Sequence, residues 1–257
     1  MSAKAIAITI ISLTAAAILV VVGHRALAPR PANVEVDRRA YPTRGIDVSA
    51  HNGEVDFAEV ASQGIDFVYI KASEGGDWRD ALFERNFSGA RDAGLNVGIY
   101  HFFRFDVPGW KQSVNVLNAI ANRPLDLPIA IDVEEWGNPG EYTTEDIVAN
   151  LRSLVELLRQ NGREPIIYTN KNGYYRFVRG RFDDVGLWIC SFTTPPLADH
   201  DRWHLWQHSH VGRVKGVRGD VDLCTFNTPL QGEMDTWLAS HPAISKPKKT
   251  VMRKTTF

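Results

Sequence analysis

The stretch Pro128-Ile129-Ala130-Ile131-Asp132-Val133-Glu134-Glu135 decides how the rest of the chain is read. Its β-branched residues mark a buried strand. Successive strand side chains point to opposite faces, so Asp132 and Glu134 fall on the same side of the backbone. Neighbouring carboxyls resist ionising together and burial resists it further, so such a pair tends to divide into a proton-holding member and an anionic one. General acid catalysis needs that division. A strand-end pair satisfied by backbone N–H groups or by an arginine is the alternative that this stretch alone leaves open.

Working outward, the chain alternates strand and helix patterns. Strands are predicted at 45–49, 67–72, 97–103, 128–135 and 165–169, with helices at about 56–63, 81–93, 112–121 and 144–160 between them. Thr143 or Thr144 is the expected cap of the last of these, with Asn161-Gly162 as its stop. This repetition implies a parallel sheet with right-handed crossovers. The last third breaks the rhythm. After a short helical piece near 173–178, the apolar runs Leu187-Trp188-Ile189-Cys190, His204-Leu205-Trp206-Gln207 and Val221-Asp222-Leu223 follow with no convincing helix between them. The predicted fold is α/β: an irregular TIM-like barrel of eight strands with about five helices, the late helices missing. An open doubly wound sheet that binds a nucleotide would need a Gly-rich phosphate turn after an early strand, and none is present.

With 257 residues and 44% hydrophobic content, the chain can bury a full core in one catalytic domain, placed at 44–240. The formal charge of −1 hides an uneven distribution: five basic residues precede position 40, five lie in the tail from Lys246 to Phe257, and the middle is acidic. Nucleic-acid binding is excluded on that distribution. Residues 1–28 read as a signal peptide or a transmembrane anchor. The stretch Ala5 to Val22 is uncharged and almost wholly apolar, close to the roughly 20 residues that span a bilayer. Ala26-Leu27-Ala28 resembles a cleavage site, but the length of the run and the following Pro29 favour a retained anchor. Either way the domain is expected to be exported, anchored on the outer side of the inner membrane, or periplasmic or secreted if cleaved after Ala28. Residues 29–43 read as a Pro-containing linker, and 241–257 as a basic, disordered tail.

In barrels of this kind the reactive groups gather at the C-terminal ends of the strands. Asp47, Lys71, Glu74, His101, Asp132, Glu134, Tyr168, Gln207 and Asp222 all fall at or just past predicted strand ends, while the strand bodies are apolar. Gathering acids at one rim costs stability, which points to function. Taken singly, Asp47 also suits a backbone-bonded turn, and His101 among aromatics suits a packed, hydrogen-bonded histidine. Phe102, Phe103, Trp136, Tyr168, Trp188 and Trp206 are core residues by default, although a sugar groove also uses flat apolar faces.

The succession Arg44-Gly45-Ile46-Asp47-Val48-Ser49, Lys71-Ala72-Ser73-Glu74-Gly75, Gly98-Ile99-Tyr100-His101-Phe102 and Ile131-Asp132-Val133-Glu134 resembles glycoside hydrolase family 25, the Chalaropsis-type lysozymes. Pro165-Ile166-Ile167-Tyr168-Thr169, Leu187-Trp188-Ile189, Leu205-Trp206-Gln207 and Val221-Asp222-Leu223 continue it in the same order, so the resemblance covers about Arg44 to Asn227. It implies an irregular barrel that hydrolyses the β-1,4 bond between N-acetylmuramic acid and N-acetylglucosamine in peptidoglycan, without metal or cofactor and as a monomer. Glu134 matches the proton donor, Asp132 its partner, and Asp47 and Asp222 the two further active-site aspartates. These three are expected to raise the pKa of Glu134 by their negative charge. Tyr168, Lys71, Glu74, His101, Trp206 and Gln207 are the expected substrate-binding residues. Asp-x-Glu pairs of this kind resemble those of hydrolases in which the substrate's own 2-acetamido group attacks the anomeric carbon with retention; inversion through an Asp-activated water is the other course. The chain departs from the pattern at Cys190-Ser191-Phe192, where the family often has a hydroxylated aromatic, at Cys224, where Asn is common, and at Trp78. Two other functions fit the same residues: hydrolysis of another N-acetylhexosamine polymer such as chitin, and non-catalytic glycan binding at the envelope.

Cys190 and Cys224 sit at or near the ends of two late strands. On the oxidising side of a membrane, a bridge between them would close a loop of about 35 residues, which is the expectation here; the alternative is a pair of buried free thiols.

Overall fold

The computed structural model describes residues 32–121, 123–198 and 201–227. The apolar run Ala5 to Val22 and the basic tail lie outside them, as does the end of the predicted domain beyond Asn227. Among the described residues no helix is long and apolar enough to cross a membrane.

Eight strands close into a barrel. They are β1 (Gly45–Val48), β2 (Phe67–Glu74), β4 (Asn96–Phe102), β5 (Ile129–Asp132), β6 (Pro165–Asn170), β7 (Gly186–Cys190), β8 (Leu205–Gly212) and β9 (Val221–Phe226), neighbours in that order, with β9 returning to β1. A two-residue strand β3 (Trp78–Arg79) folds back on the end of β2. The helices are α1 (Phe57–Ser62), α2 (Phe83–Asp92), α3 (Gly109–Ile120) and α4 (Thr144–Gln160), followed by α5, a turn at Lys171–Gly173 that continues as a π-type turn at Tyr174–Val178. Thr143 caps α4, its hydroxyl accepting from the Asp146 N–H. No helix follows α5 among the described residues.

Pairing is parallel from β1 through β8, as the alternation predicts. The last strand differs. β9 runs antiparallel to both β8 and β1, because it follows β8 through a turn rather than a helix, and a short connection joins only antiparallel neighbours.

Strand parity sorts the side chains. Ile46, Val68, Ile70, Ile99, Ile131, Val133, Ile167 and Ile189 belong to the outer core beneath the helices, and Phe67, Tyr69, Ala130, Ile166, Trp188, Leu205 and Phe226 fill the barrel. Large rings inside a small barrel need small residues on adjoining strands. Gly45 pairs with Phe67 and Gly98 with Tyr69, and a Cβ on either glycine would come within 2.1 Å and 2.5 Å of the neighbouring ring.

The described part of the predicted linker is packed rather than loose. Asn33 bridges Ser209 on β8, the Val34 N–H donates to the His208 carbonyl at 2.9 Å, and Val36 is buried. Tyr41 lies against Trp203 and Trp206, with ring centroids 5.9 and 5.8 Å away. The apolar residues Val34, Val36 and Tyr41 carry this: they cover core surface that a solvated linker would leave bare.

Filling the space at Gly98 should be costly. Gly98→Ala is expected to lower stability by about 1–3 kcal/mol through overpacking against Tyr69, read as a lower midpoint in urea denaturation.

Candidate active site

The polar ends of the strands meet in an open cleft of about 750 Å³ at one end of the barrel. Asp132 is the last residue of β5, and the ladder continues beyond it: the Phe103 N–H donates to the Asp132 carbonyl and the Val133 N–H to the Tyr168 carbonyl, both at 2.9 Å. The Thr169 hydroxyl donates to the Val133 carbonyl at 2.7 Å, so the backbone leading to Glu134 is held from β6. Asp132 and Glu134 both line the cleft, as strand parity requires.

Asp47 and Asp222 complete the acid set from the far side. They are direct register partners across the antiparallel β1–β9 pair. Asp222 therefore reaches the rim from near the start of its strand rather than from its end, because β9 runs the other way.

Burial dominates the electrostatics. It pushes the Glu134 carboxyl up to about 7, and the charge of Asp222 adds to the shift. Asp132 is held well above the usual carboxylate range, first by burial and then by Glu134, with the Lys71 cation opposing. Asp47 is also well above its ordinary value through burial and the Asp222 charge, and it shares a hydrogen bond with Asp222 that favours the proton on Asp47. The expectation that Asp47, Asp132 and Asp222 act on Glu134 as three anions is thus corrected: burial comes first and Asp222 second, and burial raises Asp47 and Asp132 as well. One oxygen of Asp132, Oδ1, is buried with no hydrogen-bond partner.

Gln207 ties the acids together. Its Oε1 accepts from the Tyr168 hydroxyl at 2.7 Å and from His210 Nε2 at 2.9 Å. Its Nε2 donates to Asp47 Oδ2 at 2.8 Å and to Asp222 Oδ2 at 3.2 Å. A primary amide has two acceptor and two donor positions, and all four are used. Gln207 is therefore a brace for the aspartates, not a free sugar ligand, and Tyr168 spends its proton on that brace. His210, which sequence reasoning missed, lines the cleft and completes the set. Its signal was weak: three residues past Gln207, it falls beyond one break in strand register and inside a second.

The two cysteines are free and buried. Cys190 pairs with Gln207 across β7–β8, and Gln207 with Cys224 across β8–β9, so the thiols sit two strands apart in one row. Two spacings of about 4.8 Å exceed the roughly 7 Å that a disulfide spans, which removes the expected bridge. Burial pushes the Cys190 thiol up to about 12 and raises Cys224 as well. Cys190 Sγ lies 3.4 Å from His210 Nε2, and Cys224 donates to Asp47 Oδ2 at 3.4 Å.

The remaining expected residues divide. Lys71 and Glu74 line the cleft, paired at 2.9 Å, with the Lys71 ammonium 4.8 Å from the Trp78 ring centroid and 5.1 Å from that of Phe102. His101 and Trp206 do not reach it. His101 is fully buried behind β4, bonded to Ser73 Oγ at 2.8 Å and Gln112 Oε1 at 3.0 Å, and burial lowers its pKa to about 4. Trp206 is also fully buried, its indole N–H donating to the Ser191 carbonyl at 2.6 Å. Both face outward because their neighbours Tyr100, Phe102 and Gln207 face the cleft. Trp136 corrects the default in the other direction: it lines the cleft and is 81% exposed. Among the described residues no group of three or more His, Cys, Asp or Glu side chains could hold a metal ion.

Comparison with known proteins gives this arrangement a family. The model for "Glycosyl hydrolases family 25" matches residues 46–217. The chain is 33% identical over 205 residues to the uncharacterized protein YegX of Escherichia coli O6:H1, covering 76% of this chain and 75% of that one. It is 32% identical over 184 residues to the autolytic lysozyme of Clostridium acetobutylicum, covering 72% of this chain and 56% of the relative. The structure of a family 25 glycosyl hydrolase from Bacillus anthracis superposes with a TM-score of 0.71 at 30% identity, covering 77% of this chain and 94% of that one. With its barrel, its acid cluster and these matches, the chain belongs to glycosyl hydrolase family 25 and is a glycoside hydrolase.

Proposed function

We propose that this enzyme is a muramidase that cleaves the β-1,4 bond between N-acetylmuramic acid and N-acetylglucosamine, with Glu134 as general acid and retention of configuration. The family supports hydrolysis of peptidoglycan, and the curated relative named an autolytic lysozyme points the same way. The observation that carries the finer reading is the Asp132–Glu134 pair itself. Glu134 is poised at about 7, and Asp132 lines the same cleft beside it. Export, inferred from the run Ala5 to Val22, would deliver the enzyme to the compartment that holds this polymer.

The chemistry then follows from the two carboxyls. Glu134 gives its proton to the leaving glycosidic oxygen as the bond to the anomeric carbon breaks. The carbonyl oxygen of the substrate's 2-acetamido group attacks that carbon from the opposite face, and its N–H donates to the Asp132 carboxylate, which lines the cleft. Asp132 takes part as a carboxylate throughout, the form the Lys71 cation favours, and its charge stabilises the positive charge that develops on the acetamido group. Glu134, now a carboxylate, takes a proton from water as the water opens the cyclic intermediate, and the acid is restored. The Asp47–Asp222 pair stands across the cleft and keeps a negative potential on the reacting sugar.

Glu134→Gln retains the shape and removes the donated proton. Turnover of purified peptidoglycan, followed by release of reducing ends, should fall by several powers of ten with binding largely kept. Because the acid must be protonated, wild-type kcat should fall as pH rises through about 7, and activity that persists unchanged to pH 9 would assign the acid elsewhere. Asp132→Asn should lose a comparable amount, and a substrate whose N-acetyl group is replaced should be equally poor; an enzyme indifferent to that replacement would follow the inverting course. His210→Ala should lower kcat about tenfold with KM little changed, since only the brace on Gln207 is weakened. In a Gln207→Ala background the same change should do almost nothing, a double-mutant cycle that measures whether His210 acts through the amide.

A further inference from the structure

We infer that Trp136 is a stacking platform for a pyranose ring of the glycan strand beside the scissile bond, and that it sets how tightly this enzyme holds its polymer. The inference rests on the muramidase reading and names a binding residue for that site.

The argument begins with where the indole is. Trp136 lies two residues past Glu134, lines the cleft and is 81% exposed, more than any other exposed large hydrophobic residue among those described. An exposed tryptophan on a loose loop would mean little, but this turn is fixed on both sides of it. The Asn138 side chain donates to the Glu134 carbonyl at 2.8 Å and to the Phe103 carbonyl at 3.0 Å, and accepts from the Phe105 N–H at 2.9 Å. Its backbone N–H closes the turn on the Glu135 carbonyl at 3.2 Å. Arg104 donates to the Gly137 carbonyl, and Arg176 pairs with Glu135. Gly137 has φ +77°, the left-handed conformation that lets the chain turn immediately after the tryptophan.

A large apolar ring set in water on the wall of a polar cleft by a fixed turn is unfavourable unless something covers it. The glycan is the occupant that fits. A pyranose ring presents a flat face of C–H groups, and an indole carried on a turn that is already ordered meets it without the cost of ordering a loop. The same wall continues through Phe102, whose ring lies 3.4 Å from where a Cβ on Gly137 would be, to Lys71. Trp136 and Phe102 thus form an apolar wall on the Glu134 side of the cleft. Trp136 touches substrate but no reacting atom, so it should act on binding and not on the chemical step.

The test separates binding from turnover. Binding of an unbranched tetrasaccharide of alternating N-acetylglucosamine and N-acetylmuramic acid is measured by tryptophan fluorescence and calorimetry on Glu134→Gln protein, with and without Trp136→Ala. Hydrolysis of peptidoglycan is measured in parallel with the acid intact. Trp136→Ala should weaken tetrasaccharide binding about tenfold and raise KM by a similar factor with kcat within twofold, and Trp136→Phe should recover most of the loss. Unchanged binding and KM would overturn the platform, as would a fall in kcat at constant KM, which would make Trp136 a support for Glu134 instead. Should the wild type bind the tetrasaccharide through Trp136 yet hydrolyse nothing, the platform stands and the muramidase reading fails.

Discussion

The hydrogen bonds from one amide nitrogen, Gln207 Nε2, to two opposed carboxyls hold this active site in shape. Asp47 and Asp222 are register partners across an antiparallel pair, as close as a sheet can set two side chains, and two full charges there would repel strongly. The arrangement survives because it does not require two charges. Burial raises both carboxyls toward their neutral forms, and the amide donates to one oxygen of each. The same economy operates at Asp132 and Glu134, where burial again favours the neutral forms. Four acids can therefore share one end of a closed barrel without four negative charges, and that mixture of protonated and ionised carboxyls is what acid catalysis uses.

The reversal of β9 is part of this design. A parallel last strand would present its C-terminal end to the rim, and Asp222, the second residue of the strand, would lie at the far end of the barrel. Running β9 antiparallel brings its beginning to the catalytic rim and sets Asp222 opposite Asp47.

Much of this was legible in the chain. The eight strands of the barrel, the cap at Thr143 and the meeting of Asp132 with Glu134 follow from periodicities of two and 3.6, which act over a few residues. What escaped was parity between neighbours in strands buried on both faces. His101 sits between Tyr100 and Phe102, and Trp206 precedes Gln207, and hydropathy cannot say which member of each pair points into the barrel. Register decides it, and register is a property of pairing, not of local sequence. The row that contains Cys190, Gln207 and Cys224 was hidden for the same reason. His210 was hidden more deeply, because the register shifts between Gln207 and Gly212 break the parity that would have placed it.

That no helix follows α5 among the described residues raises the question of what covers the outer face of β8. Trp206 points outward there, a large ring that a (β/α)₈ barrel would bury under a helix. Tyr41, Trp203 and His208 surround it instead, with ring centroids 5.8, 6.0 and 5.8 Å away. The segment 32–43 therefore does the work of a late helix, adding Val34 and Val36 to the core and pairing its backbone with the second half of β8. That pairing has a consequence at the cleft. The His210 N–H donates to the Ala32 carbonyl at 2.8 Å, so the residue that steadies Gln207 is itself fixed by the strap that replaces the helix. Closing the hydrophobic face and bracing the catalytic acids are in this way one structural solution, reached through a segment whose proline and polar residues read as a linker.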